Sequence, residues 1–209
     1  IPVINNQYII EPLNCEGCGY CPRVCPADAI TMNDRNVGKW YISTTRTGSS
    51  MVHARLGIGA ENSGKLVAKV KNEAKAIAEK TNRGIVLVDG SPGIGCPVVS
   101  SLSGANLAVL VTEPTISGLH DLKRVYQLVK KFNIKADCII NKADINPQVY
   151  IEIKQFLMKE NIYHISSLPY DESFTESMVN CQTIVEYQNS KIVPILTNSW
   201  DKIKELVLN

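Results

Sequence analysis

Cys15, Cys18, Cys21 and Cys25, with Pro26 directly behind them, are the residues best equipped for chemistry. Their spacing is C-x2-C-x2-C-x3-C-P, so three thiolates two residues apart can wrap one corner of a metal cluster. Gly17 and Gly19 let backbone amides approach the sulfurs, and Pro26 turns the chain away. Soft thiolates suit iron–sulfur clusters and also zinc. Zinc sites usually pair two C-x2-C knuckles across a longer gap, which this chain lacks, so a [4Fe-4S] cluster is the favoured occupant and zinc a substitute. Cys96, Cys138 and Cys181 are scattered. So compact a cluster argues against a disulfide framework and for a reducing, cytoplasmic setting.

The same spacing occurs in bacterial ferredoxins, where the fourth cysteine of a run serves the other of two clusters. Only one run is present, which predicts that its companion lies upstream of Ile1 and that Cys15 to Cys25 form half of a two-cluster module. Residues 1–36 are accordingly read as a loop-dominated iron–sulfur segment.

Asp89 is the second candidate. It follows the apolar run at residues 85–88 and leads into Gly90-Ser91-Pro92-Gly93-Ile94-Gly95-Cys96-Pro97. An acid at the carboxyl end of a buried parallel strand, ahead of a glycine-rich turn, sits where open α/β sheets bind ligands. A solvated turn fits the same residues equally well.

Alternating elements must position these groups. Trp40 to Thr45 and Met51 to Leu56 predict a hairpin around a Thr47-Gly48-Ser49-Ser50 turn, a connector spanning 37–58. Ser63 reads as the cap of a helix that ends at Asn82-Arg83-Gly84. Residues 85–88, Leu107 to Val111 and Cys138 to Ile140 are apolar runs of the kind that form strands buried on both faces. His164-Ile165 and Ile192-Val193 add short strands. Helices are predicted from a Ser117 cap through Phe132, from Pro147 to Lys159 and over residues 199–208. The alternation implies a parallel sheet with helices on both faces over 59–209.

In this order the ferredoxin run, the Asp89 segment, Val111-Thr112-Glu113-Pro114-Thr115, Asn141-Lys142-Ala143-Asp144 and Leu168-Pro169-Tyr170-Asp171 resemble the MinD/ParA-type P-loop ATPases that carry an inserted ferredoxin domain. That group is often classed with the CobQ/CobB/MinD/ParA nucleotide-binding domains. The resemblance implies a P-loop NTPase-like α/β fold of the SIMIBI class, with ATP and Mg²⁺ as ligands. It makes Asp89 the Mg²⁺-associated catalytic acid, and it puts Gly93 and Gly95 in the switch loop. It brings Asn141 to the adenine edge beside Lys142, with Pro169 to Asp171 flanking the base. A strand-end turn is the alternative for Asn141 and Lys142, and Glu113 matches a motif position without a role.

The family's Walker A loop is expected ahead of the insert, so the chain is read as beginning inside it and as inactive alone. Gly59 to Leu66 reads GxxxxGK, but Leu66 stands where a hydroxyl would reach Mg²⁺. Three functions follow: an ATP-driven switch coupled to an iron–sulfur carrier; an electron-transfer module on an α/β scaffold; and a cobyrinic acid a,c-diamide synthase-like ligase. The first implies a redox or iron–sulfur client protein and an ATP-bound homodimer.

Composition narrows the rest. A formal net charge of +2 and the absence of basic stretches interleaved with aromatics give no argument for nucleic acid. No apolar run approaches the roughly 20 residues of a membrane span. His53, His120 and His164 carry no motif and read as structural, as do Cys138 and Cys181. Cys96 lies in the glycine-rich segment, where a helix-start packing role and a ligand role are both open.

Overall fold

The computed structural model describes residues 1–11, 14–15, 17–33, 36–57, 60, 64–187 and 190–208. The predicted Ser63 cap and most of the GxxxxGK stretch lie outside them. The chain divides into two compact units, Ile1–Val88 and Asp89–Asn209.

The first unit opens with strands β1 (Val3–Ile4) and β2 (Gln7–Tyr8), an antiparallel pair. Asn5 and Asn6 both have positive φ, 52° and 60°, which matches the twist that a two-residue hairpin turn requires. A short helix, α1 (Tyr20–Val24), follows. The expected hairpin is present as β3 (Gly38–Thr44) and β4 (Ser50–Leu56), in register from Gly38↔Leu56 to Thr44↔Ser50. Helix α2 (Gly64–Lys80) packs on β4, and Lys69 Nζ lies 5.0 Å over the Trp40 ring. Asn82, at φ 52°, stops α2, and Arg83 N–H returns to Ala78 C=O at 2.8 Å.

The second unit runs α3 (Cys96–Leu102), β5 (Leu107–Thr112), α4 (Ile116–Lys131), β6 (Lys135–Ile140), α5 (Pro147–Lys159), β7 (Tyr163–Ser167), α6 (Ser173–Val179) and α7 (Val193–Leu208). The sheet is parallel, in the order β5-β6-β7, with Leu107 opposite Lys135 and Asp137 opposite Tyr163. A bulge at Cys138/Ile139 shifts the β6–β7 register. The core combines Ala108 and Leu110, Cys138 and Ile140, Leu122 and Val129, and Ile153 and Leu157. Helices cover both sheet faces, as expected. Ser167 Oγ meets Tyr150 of α5 at 3.0 Å, whereas its neighbour Ser166 meets Ser199 of α7 at 2.7 Å.

Three expectations need correction. Residues 85–88 form no strand; Leu87 is 80% exposed and no described strand lies alongside to pair with them. An apolar run supplies the reason for burial but not the neighbour that a ladder needs. Ile192 and Val193 are not a strand either. Ile192 is buried in a turn and Val193 opens α7, which therefore starts well before residue 199. Pro194, in the first helical turn, carried that signal. Finally, α4 is capped by Thr115, whose Oγ1 accepts from Gly118 N–H at 2.9 Å, rather than by Ser117.

Candidate nucleotide site at the carboxyl edge of the sheet

The carboxyl ends of β5, β6 and β7 lie side by side and their following loops are bonded together. Asn141 N–H donates to Thr112 C=O at 2.7 Å, and Leu168 N–H donates to Ile140 C=O at 2.8 Å. Ala143 N–H reaches Leu168 C=O at 2.8 Å. Asp144 Oδ1 then accepts from Tyr170 N–H at 2.8 Å. Two of the segments singled out in the sequence, 141–144 and 168–171, are thereby held as one surface. Asp171 turns its carboxylate onto Ser173, accepting from both its N–H and its hydroxyl, and these bonds hold the carboxyl below the usual range. The Asn141 side-chain amide makes no hydrogen bond among the described residues, while Pro169 and Tyr170 are exposed.

One side chain joins the first loop to the second. Glu113 Oε2 pairs with Lys142 Nζ at 3.0 Å, both side chains being about two-fifths exposed. Lys142 sits at φ 48°, a left-handed conformation uncommon for a residue with a side chain. Glu113 itself lies where α4 begins. A Cβ on Gly118 would come within 2.4 Å of Glu113 C=O, so only glycine allows this close approach. Pro114, Thr115, Ser117, His120, Ile145 and Asn146 border an open recess of about 770 Å³. The sequence marked Glu113 without a role. The available signal was an acid directly after one strand and a lysine directly after the next.

Asp89, Gly93 and Gly95 belong to the segment leading into α3. Gly93 has φ 86°, and Gly95 is the extended N-cap residue of α3, with Pro97 in its first turn. All three are exposed. Among the described residues no hydrogen bond or ion pair ties them to the loops after β5, β6 and β7. Cys96 is exposed and opens α3.

Of the four clustered cysteines, Cys15 and Cys18 precede α1, Cys21 lies in it and Cys25 is its C-cap residue. Cys15 and Cys18 are exposed, and Cys21 and Cys25 are half-buried. Gly17 and Gly19 take φ of 66° and 73°, and neither has an atom within 4 Å of a would-be Cβ. Ala29 N–H points to Cys25 Sγ at 3.4 Å. Donor type and backbone conformation therefore fit a thiolate-bound group. Among the described residues, no three His, Cys, Asp or Glu side chains are gathered as metal ligands.

Ionisable groups are also buried within the sheet. Cys138 is fully buried, and burial pushes its thiol up to about 12. Asp137 is 1% exposed and its Oδ2 has no hydrogen-bond partner, so burial raises its carboxyl above the ordinary value. Lys154 Nζ donates to His164 Nδ1 at 2.8 Å. Lysine cannot accept, so the imidazole is neutral and its Nε2–H donates to Ser167 Oγ at 3.0 Å. Burial, then Lys154, lower the His164 pKa. The relay ties α5 to β7 just before the 168–171 loop. A lysine on Nδ1 weakens the imidazole as a base, so this Ser–His pair is no hydrolytic dyad.

No protein-family model matches the chain. It is 31% identical over 201 residues to the uncharacterized protein MJ0578 of Methanocaldococcus jannaschii, covering 96% of this chain and 67% of that one. It is 29% identical over 182 residues to MJ0579 of the same organism, covering 86% of this chain and 59% of that one. Among solved structures it is similar to the Pyrococcus furiosus cell division ATPase MinD (22% identity, TM-score 0.55, 71% of this chain and 60% of that one). The septum site-determining protein MinD of Pyrococcus horikoshii, complexed with Mg-ADP, matches at 20% identity and TM-score 0.55, over 71% and 59%. The MinD cell division protein of Aquifex aeolicus matches at 16% identity and TM-score 0.60, over 78% and 68%. At these identities the likeness shows the fold alone: a MinD-like arrangement of parallel sheet and helices.

Proposed function

The chain belongs to the family of the M. jannaschii protein MJ0578, and on that premise we propose that it is an ATP-dependent switch carrying a [4Fe-4S] ferredoxin-type module. Nucleotide binding and hydrolysis would be coupled to electron transfer or to the handling of an iron–sulfur client protein. The chain spans about two thirds of MJ0578 and less of MJ0579, so the activity of the whole protein is part of the proposal.

One observation carries the nucleotide half. The 141–144 and 168–171 segments are bonded into one surface at the carboxyl edge of a parallel sheet, where open α/β folds take ligands. There the uncommitted amide of Asn141 is suited to an adenine edge, which offers one donor and one acceptor. Lys142 stands beside it, and Pro169 to Asp171 flank the base through backbone groups. Asp89 is assigned to Mg²⁺. Gly93 and Gly95 give the following loop the freedom to track a terminal phosphate. An ATP-bound homodimer and a redox partner complete the reading.

For the metal half, Cys15, Cys18, Cys21 and Cys25 would hold the group, which when bound supplies one-electron transfer. Gly17 and Gly19 leave its surroundings open to backbone N–H groups, and Ala29 N–H already lies 3.4 Å from Cys25 Sγ.

The test is anaerobic reconstitution with iron and sulfide, followed by metal and sulfide counting and titration with Mg-ATP. A cluster lost on Cys→Ser substitution, together with saturable ATP binding, is the expected outcome. Zinc in place of iron and sulfide would refute the electron-carrier half. A redox-active cluster in a chain indifferent to ATP would leave a plain electron-transfer module.

A further inference from the structure

We propose that Glu113 is a positioning residue for base recognition, acting through Lys142; this rests on the nucleotide reading above. The loops after β6 and β7 are tied to each other through Ala143 N–H to Leu168 C=O and Tyr170 N–H to Asp144 Oδ1. Among the described residues, the end of β5 joins them through a backbone bond, Asn141 N–H to Thr112 C=O, and the loop after it through a side-chain bond, Glu113 to Lys142.

That ion pair lands where the backbone most needs support. Lys142 is the residue at φ 48°, and it directly follows Asn141, whose amide is left for a ligand. A residue with a Cβ in the left-handed region costs about 1 kcal/mol or more and persists where its surroundings hold it. Backbone bonds made by Asn141, Ala143 and Ile145 N–H hold the turn, the Glu113 carboxylate restrains the Lys142 side chain, and Glu113 is itself held. Gly118 permits α4 to close on its carbonyl, and Thr115 caps that helix two residues later. Rigid α4 thus fixes Glu113, Glu113 fixes Lys142, and Lys142 sets the direction in which Asn141 leaves the sheet. The pair is half-exposed, so it contributes little to folding, and its effect lies in orientation.

The experiment measures affinities of the full chain for Mg-ATP, Mg-GTP and inorganic tripolyphosphate by calorimetry, before and after Glu113→Gln. The glutamine keeps shape and removes charge. ATP affinity is expected to fall about two- to five-fold, the range of an exposed ion pair, while tripolyphosphate affinity stays unchanged. The preference for ATP over GTP shrinks by the same factor, the melting temperature holds, and Glu113→Asp recovers part of the loss. Unchanged ATP affinity in Glu113→Gln overturns the positioning role alone. Equal losses for ATP and tripolyphosphate, or losses that merely follow a lowered melting temperature, also overturn it. A parent chain that binds none of the three probes overturns the nucleotide reading together with this inference.

Discussion

Replacing Asp137 by Asn should stabilise the protein at neutral pH. Asp137 lies on β6 between Ala136 and Cys138, 1% exposed, and its Oδ2 meets no hydrogen-bond donor. A buried acceptor left without a partner costs about 1–3 kcal/mol, and more when charged. Asparagine keeps the shape and an oxygen for the Tyr163 N–H that faces the carboxylate, and its Nδ2 leaves the unpaired place neutral rather than charged, so what is relieved is the extra cost of burying the charge. Taking that extra cost as about 1–2 kcal/mol, and about 2–4 °C per kcal/mol for a chain of this size, the melting temperature rises by roughly 2–8 °C. The pH dependence has a definite sign. Because the folded carboxyl titrates above its unfolded value, the penalty is present at pH above the folded pKa and is relieved as pH falls through it. The advantage of Asp137→Asn is therefore greatest near neutrality and narrows on acidification. Paired thermal melts of parent and variant across the acidic and neutral range decide the matter. No gain at neutrality, or a gain that widens as pH falls, would refute the reasoning.

Three other outcomes follow from the same geometry. Cys138, with its thiol at about 12 and its side chain buried, should resist alkylation in the native protein at mildly alkaline pH while exposed Cys96 and Cys181, outside the cysteine cluster, react. Mass spectrometry before and after unfolding would show it. Gly118→Ala, ordinarily favourable in a helix, should instead destabilise by about 1–3 kcal/mol, because the new Cβ meets Glu113 C=O at 2.4 Å; denaturant melts measure this. Thr115→Ala removes the cap of α4 and should cost about 0.5–2 kcal/mol in the same assay.

Much of the second unit was legible because its signals are local. The 3.6-residue spacing of Leu119, Leu122 and Val129 marks α4, and the helix expected from Pro147 to Lys159 is α5 with those bounds, its Asn146 cap being added by the structure. Residues 85–88 misled because a buried-strand composition says nothing about whether a neighbour is available. Helix α7 was read short because Ile192-Val193 looked like a strand, whereas Pro194 marked the true start. At the carboxyl edge, the motifs named Asn141, Lys142 and residues 168–171, but the bonds from Asp144 to Tyr170 and from Glu113 to Lys142 span different loops. Pairings between loops depend on strand order and register, which periodicity along one chain does not encode. His164 read as structural, and its bonds to Lys154 and Ser167 fit that reading.

The helix ends have a consequence for how the chain reaches its fold. Helices α2, α4 and α5 each stop at an asparagine with positive φ: Asn82, Asn133 and Asn161. In each case the next N–H turns back to the final helical turn: Arg83 to Ala78, Ile134 to Val129 and Ile162 to Leu157. Each of these stops is written within half a dozen residues and needs nothing distant to form. After α4 and α5, the returning strand is already aimed when its helix closes, and it pairs with the strand one crossover earlier, Leu107 with Lys135 and Asp137 with Tyr163. A parallel sheet is ordinarily slow to assemble because its pairings are far apart along the chain. Here the search is shortened to successive closures of one crossover at a time, so assembly can follow the order in which a ribosome delivers the chain.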